Sequence, residues 1–211
     1  MRPSADYRLY LVTDPAMTAA YGLVRTVLEA VEGGVGVVQL RDTEATDDEL
    51  VRIGRELHAA LAGRVPLLVN DRVHLVEAIG AEGAHIGQCD VPVEEARRML
   101  GPDRLLGLSV QTVAHVATAR DLGEEHLDYL GIGPVWDTST KPDHAEASGP
   151  GHVATVAAAS PWPSVAIGGI SVARVPALRG TGIDGISVVS AICCAPSPRR
   201  AAEELVEAWT R

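Results

Sequence analysis

The chain has 211 residues, 46% of them hydrophobic and 22% charged, with a formal net charge of -10. That balance describes a folded domain able to bury a full core, not a disordered or fibrous chain. It also argues against a nucleic-acid partner, since neutralising a phosphate backbone needs a basic face.

Short apolar runs alternate with longer amphipathic stretches about eight times. "YRLYLVT" reads as the first strand, with a helix predicted over 18–32; "VGVVQL" is the second, with a helix over 46–61. Thr46 followed by Glu49 has the spacing of a capping box at that helix start. "PLLVN" precedes a helix over 73–79, and "GAHIG" one over 93–100, with Pro92 at its first turn. "LLGLSV", "YLGIGPV", "PSVAIGG" and "DGISVVS" precede helices over 113–122, 152–159, 172–178 and 199–209. Runs that are apolar at nearly every position belong to parallel strands buried on both faces. Eight strand–helix units predict an α/β fold, a single-domain (β/α)8 TIM barrel spanning residues 1–211. An open dinucleotide-binding sheet would carry G-x-G-x-x-G after its first strand, where "VTDPAMT" stands instead.

No apolar run reaches the roughly twenty residues of a membrane span, and "MRPSADYRLYLVTD" lacks a signal-peptide core. Cys89, Cys193 and Cys194 make an odd count without metal-ligand spacing, so reduced thiols and a cytoplasmic location are expected.

In a barrel, chemistry belongs where strands end. There the sequence places Gln39, Arg41 and Asp42, then Asn70 and Asp71, then Gln88 and Asp90. Ser109, the 138–141 run, Gly168 with Gly169, and Ser190 follow on later strands. Singly these have plain explanations: Asp71, Asp90 and Ser109 as helix N-caps, Arg41 as a surface arginine. Gathered on one rim, they read as ligands for charge. Asp71 and Asp90 leave neighbouring strands and offer the hard oxygens that Mg²⁺ takes alongside water and phosphate. Arg41 and Lys141 add positive charge, and Lys141 is the only lysine in the chain. The "IGGI" and "SVVSAI" turns suit a phosphate on backbone N–H groups. A diphosphate under a metal and a monophosphate at the last two loops suggest a transferase.

The segments "YLVTD", "VQLRD", "LLVNDRV", "GAHIGQCDVP", "GLSV", "YLGIGPVWDTSTKPD", "VAIGGI" and "DGISVVSAI" together resemble the thiamine phosphate synthase family over nearly the whole chain. The resemblance implies coupling of 4-amino-2-methyl-5-(diphosphooxymethyl)pyrimidine to a thiazole phosphate (carboxylate), giving thiamine phosphate and pyrophosphate. It implies that Asp71 and Asp90 hold Mg²⁺. Gln39, Arg41, Asn70, Ser109 and Lys141, with Asp42 and Thr43 in the same turn as Arg41, would face the pyrimidine diphosphate. Thr138, Ser139, Thr140, Gly168, Gly169, Val189 and Ser190 would face the thiazole phosphate. Lys141, Arg41 and Ser109 would carry the catalysis, by departure of the diphosphate to leave a pyrimidine-stabilised carbocation. Lysine suits the leaving phosphate as a compact charge on a flexible stem, where an arginine fork is larger and planar. The partners implied are these two small molecules, with no nucleic acid and no membrane, and a homodimer as the assembly to consider.

One position departs from the family pattern: the usual Arg-Glu-Lys is Arg41-Asp42-Thr43 here. Loss of a cation near the leaving group should weaken turnover, unless a neighbour such as Arg72 compensates. Three rivals follow. A thiazole tautomerase-like protein would carry histidine where Gln111 stands. A non-catalytic barrel binding thiamine intermediates would not need Asp71, Asp90, Ser109 and Lys141 together. An aldolase would use Lys141 as a Schiff-base nucleophile. The 137–150 stretch reads as a lid carrying Lys141. His85 reads as a barrel-interior residue, and the other histidines lack ligand spacing.

Overall fold

The structure is a computed structural model that describes residues 2–138 and 146–211. Ser139, Thr140 and Lys141, and with them much of the expected lid, lie outside the described residues. Eight strands close in sequence order into a parallel barrel: β1 (Leu9–Val12), β2 (Val37–Leu40), β3 (Leu67–Asn70), β4 (Gly83–Ile86), β5 (Leu105–Val110), β6 (Tyr129–Ile132), β7 (Ser164–Ile167) and β8 (Gly185–Val188). The closing pair is β1 with β8, where Leu9, Tyr10 and Leu11 align with Ile186, Ser187 and Val188.

Alternation along each strand sorts the side chains. One set, including Leu9, Leu11, Val38, Leu40, Leu67, Val69, Ala84 and Ile86, packs outward against the helices in the main core. The other set, Tyr10, Val12, Val37, Leu68, Leu105, Tyr129 and Val165, fills the barrel interior. This two-sided burial is why the strand sequences run apolar without a polar face.

Helices α1 (Pro15–Thr18), α2 (Leu23–Glu32) and α4 (Val76–Ile79) stand among others whose starts carry recognisable signals. In α3 (Asp47–Leu61), Thr46 accepts the Glu49 N–H while Glu49 reaches back to the Thr46 N–H, the predicted capping box. Pro92 precedes α5 (Val93–Leu100), and α6 (Val113–Leu122) is capped by Thr112. The stretch predicted as a helix over 18–32 is two pieces, Pro15–Thr18 and Leu23–Glu32, because Gly22 between them has φ of 81°. The stretch 172–178 forms only a short 3₁₀ turn, Val175–Ala177. The sixth unit supplies the helix Gly149–Ala159, and the eighth a short helix Ser190–Cys193 and the C-terminal helix Pro198–Thr210. Among the described residues, no helix is long and apolar enough to cross a membrane.

Candidate active site

The strand ends surround a cavity of about 460 Å³. Its lining brings together Gln39, Arg41, Asn70, Asp71, Asp90, Ser109, Thr138, Gly168, Gly169, Val189 and Ser190, eleven of the residues the sequence singles out. Asp42 and Thr43 do not line it. Asp42 turns back to accept the N–H groups of Glu44 and Ala45 at 3.0 Å each and borders a separate cavity beside Arg41. Thr43 is exposed, with its hydroxyl 3.4 Å from the Glu44 carboxylate.

The plain capping explanations do not hold. Asp71 sits in the left-handed region at φ of 57°, a conformation aspartate tolerates better than most residues. The 3₁₀ turn behind it receives no side-chain cap. Asp90 accepts the Gly87 N–H at 2.7 Å within its own loop, while α5 begins after Pro92. Ser109 lies inside β5, and Thr112 does the capping of α6. Each of the three is therefore spared helix duty and kept at the cavity.

Asn70 donates to Asp71 Oδ2 at 2.6 Å, which orients that carboxylate. The oxygen-only character of Asp71 and Asp90 fits a magnesium ion completed by water and phosphate oxygens. Arg41 is held over the rim by its backbone bond to the Thr13 hydroxyl at 3.0 Å and by Asp14 at 4.0 Å. With 19% of its side chain exposed, it remains able to meet an anion.

The seventh-strand turn depends on glycine. Gly168 and Gly169 have φ of 104° and 64°. A β-carbon on Gly168 would meet the Pro134 side chain at 2.6 Å, and one on Gly169 the Asp137 carbonyl at 2.7 Å. Arg174 clamps this turn, donating to the Gly169 carbonyl at 2.6 Å while its guanidinium lies 5.2 Å from the centre of the Trp136 ring.

Several lining residues escaped the sequence reading. His85 is a barrel-interior histidine as expected, but it opens onto the cavity and contacts Ser109 through Nε2 at 2.9 Å. Tyr10, Gln111 and His115 also line the space. The Gln111 N–H donates to His115 Nδ1 at 3.2 Å, and His152 meets the Gln111 carbonyl at 2.6 Å. The period-two alternation that puts Ser109 inside also puts His85 and Tyr129 inside, and this was the available signal.

A closed eight-stranded parallel barrel with its polar groups at the strand ends defines a TIM-barrel enzyme. A family model described as thiamine monophosphate synthase matches residues 9–192, so the chain belongs to the thiamine-phosphate synthase family. It is 50% identical over 204 residues to a thiamine-phosphate synthase of Psychrobacter sp. (strain PRwf-1), covering 96% of each chain. It is 48% identical to that of Xanthobacter autotrophicus (strain ATCC BAA-1158 / Py2), covering 95% of this chain and 94% of the other. The solved thiamine phosphate pyrophosphorylase from Pyrococcus furiosus superposes with a TM-score of 0.85 at 31% identity, over 98% of both chains. A 3-hexulose-6-phosphate synthase from Salmonella typhimurium, with a TM-score of 0.72 at 17% identity, shares the fold alone.

Proposed function

We propose that the chain joins 4-amino-2-methyl-5-(diphosphooxymethyl)pyrimidine to a thiazole phosphate, releasing pyrophosphate and forming thiamine phosphate. The observation that carries this reading is the convergence of Arg41, Asn70, Asp71, Asp90, Ser109, Gly168, Gly169 and Ser190 on one cavity. The close family relatives support the same reaction.

In this reading the methylene carbon–oxygen bond breaks first, and its electron pair leaves with pyrophosphate. The thiazole ring nitrogen then supplies the pair for the new carbon–nitrogen bond, so no protein base is required. Catalysis consists of stabilising charge on the departing oxygens in a preorganised site. Arg41, Asn70, Ser109 and Lys141 face the diphosphate, and Gln39 the same substrate. Thr138, Ser139, Thr140, the Gly168–Gly169 turn, Val189 and Ser190 hold the thiazole phosphate. Asp71 and Asp90 would hold Mg²⁺, which when bound supplies further positive charge to the diphosphate. Asp42 and Thr43, which lie off the lining of this cavity, take no direct part in this reading.

Pyrophosphate release tests the proposal, measured with Mg²⁺ and both substrates together, then with each alone. Release and product are expected only with the pair, and Lys141→Ala should abolish both. Pyrophosphate from the pyrimidine diphosphate alone at the full rate would contradict coupling. Silence in the wild type, with the thiazole phosphate still bound, would point to a binding protein.

A further inference from the structure

Gln39, Tyr10, Tyr129, His85 and Ser109 form an unbroken hydrogen-bonded chain across the barrel interior. The Gln39 side-chain amide donates to the Tyr10 hydroxyl at 2.7 Å, and the Tyr10 and Tyr129 hydroxyls meet at 2.8 Å. Tyr129 meets His85 Nδ1 at 2.7 Å, and His85 Nε2 meets Ser109 Oγ at 2.9 Å. Both phenols are fully buried. Burial holds each well above the ordinary tyrosine range, so each stays neutral with one proton to donate.

The direction of the chain follows from its first link. An amide N–H can only donate, so the Tyr10 oxygen accepts there and its own proton must go elsewhere. Tyr129 is the acceptor in reach; any other arrangement strands a buried donor, which is costly. Tyr129, having accepted, donates to Nδ1. His85 therefore carries its proton on Nε2 and gives it to Ser109. The Ser109 oxygen is an acceptor in that bond, which leaves the hydroxyl proton for the cavity.

The barrel makes room for this arrangement at two glycines. A β-carbon on Gly107 would overlap the Tyr129 ring, and one on Gly131 would press to 3.1 Å against His85 Cε1. The rings of Tyr7 and His85 flank Tyr129 at 4.9 Å and 5.4 Å between centroids. Space and hydrogen bonding thus select the same geometry.

We infer that Tyr10 and Tyr129 are positioning residues: they fix His85 as its Nε2–H tautomer and so aim the Ser109 hydroxyl proton at the leaving diphosphate. This rests on the reaction proposed above. A donor held ready matters most when charge has grown on the leaving oxygens, so its loss lowers kcat more than it raises KM.

The test uses Tyr129→Phe and Tyr10→Phe in the full chain, with ¹⁵N-histidine spectra and steady-state kinetics on each. Tyr129→Phe keeps the ring but deletes the donor to Nδ1. Its expected result is a shift of His85 away from a pure Nε2–H tautomer, with a kcat loss of about tenfold, the scale of one hydrogen bond, at nearly constant KM. Tyr10→Phe, one link back, should move both readouts in the same direction by less. If Tyr129→Phe fails to fold, Tyr10→Phe carries the test. A His85 that stays Nε2–H in the folded variants, or an unchanged kcat, overturns the inference. An inactive wild type whose His85 nonetheless changes tautomer in Tyr129→Phe would instead remove the proposed reaction and leave the hydrogen-bond chain standing.

Discussion

Arg97 and Asp128 meet at 2.8 Å beneath the barrel, with about nine-tenths of each side chain buried. The same Asp128 oxygen accepts the Leu106 N–H, and its other oxygen takes Arg2 at 2.7 Å. Arg97 gives three further donors to the carbonyls of His126, Gly101 and Arg104. Desolvation lowers the Arg97 pKa, and Asp128 acts against it. This cluster ties the entries of β5 and β6 to α5, at the end of the barrel opposite the cavity. Asp128→Ala leaves a buried charge without its partner and should cost about 3–5 kcal/mol. Chemical denaturation measures it, and a loss under about 1 kcal/mol would show that water replaces the carboxylate.

The seventh-strand turn gives a sharper substrate test. Gly169→Ala adds a β-carbon at positive φ, 2.7 Å from the Asp137 carbonyl and 2.9 Å from Trp136 Cβ. The turn must shift, and the groups assigned to the thiazole phosphate shift with it. KM for the thiazole phosphate should rise by about tenfold or more, the effect of losing one well-made contact, with KM for the pyrimidine diphosphate little changed. Gly180→Ala is the control: it also has positive φ, at 80°, but open space around the new methyl group. Equal effects from the two substitutions would assign the loss to general backbone strain.

The barrel was legible because burial on both strand faces writes eight apolar runs, and the start signals Thr46 and Pro92 stand beside them. The rim was legible because polar residues terminating buried strands are conspicuous. Gly22 was the limit for the first helix: a single positive-φ glycine splits a continuous apolar pattern. Asp42 was misplaced as a neighbour of the main cavity because position in a turn does not fix where a side chain points; its carboxylate is drawn to two N–H groups of its own loop. His85 was placed inside the barrel but not linked to Ser109, since that link depends on strand register, with His85 beside Gly107 and Ser109 beside Gly131. Lys141, Ser139 and Thr140 lie outside the described residues and rest on the sequence reading.

The three cysteines should separate cleanly by reactivity. Cys193 is buried, its thiol against the Val12 carbonyl, and burial pushes its pKa up to about 12. Cys89 and Cys194 are exposed, and Cys89 lines the cavity next to Asp90. Alkylation of the native protein followed by mass spectrometry should mark Cys89 and Cys194 and spare Cys193. The pyrimidine diphosphate with Mg²⁺ should slow the reaction at Cys89 only. The raised pKa also sets a sign for stability. An unfolded thiol ionises in its ordinary range, before the buried one, so raising the pH from there towards 12 favours unfolding. Cys193→Ala should flatten that part of the stability–pH curve. Rapid native labelling of Cys193 would contradict both expectations.

Thr43 offers the last test, because it stands where the family pattern has lysine. Its hydroxyl is 3.4 Å from the Glu44 carboxylate, and its carbonyl is 3.5 Å from Arg72 Nη2. Arg72 is itself engaged by Asp47 at 3.2 Å, so its charge is already partly answered. It is therefore a poor substitute for a free ammonium at the diphosphate end. A lysine at position 43 has the reach that threonine lacks and could follow the charge as it moves onto the leaving group. Thr43→Lys should raise kcat by about tenfold, less than the hundredfold or more lost when a well-placed donor is removed, since Glu44 competes for the new cation. Adding Glu44→Gln should increase the gain. Pyrophosphate release under saturating substrates measures both variants. An unchanged kcat in the single and the double variant would place residue 43 out of reach of the diphosphate and leave Arg41 and Lys141 as the cations serving it.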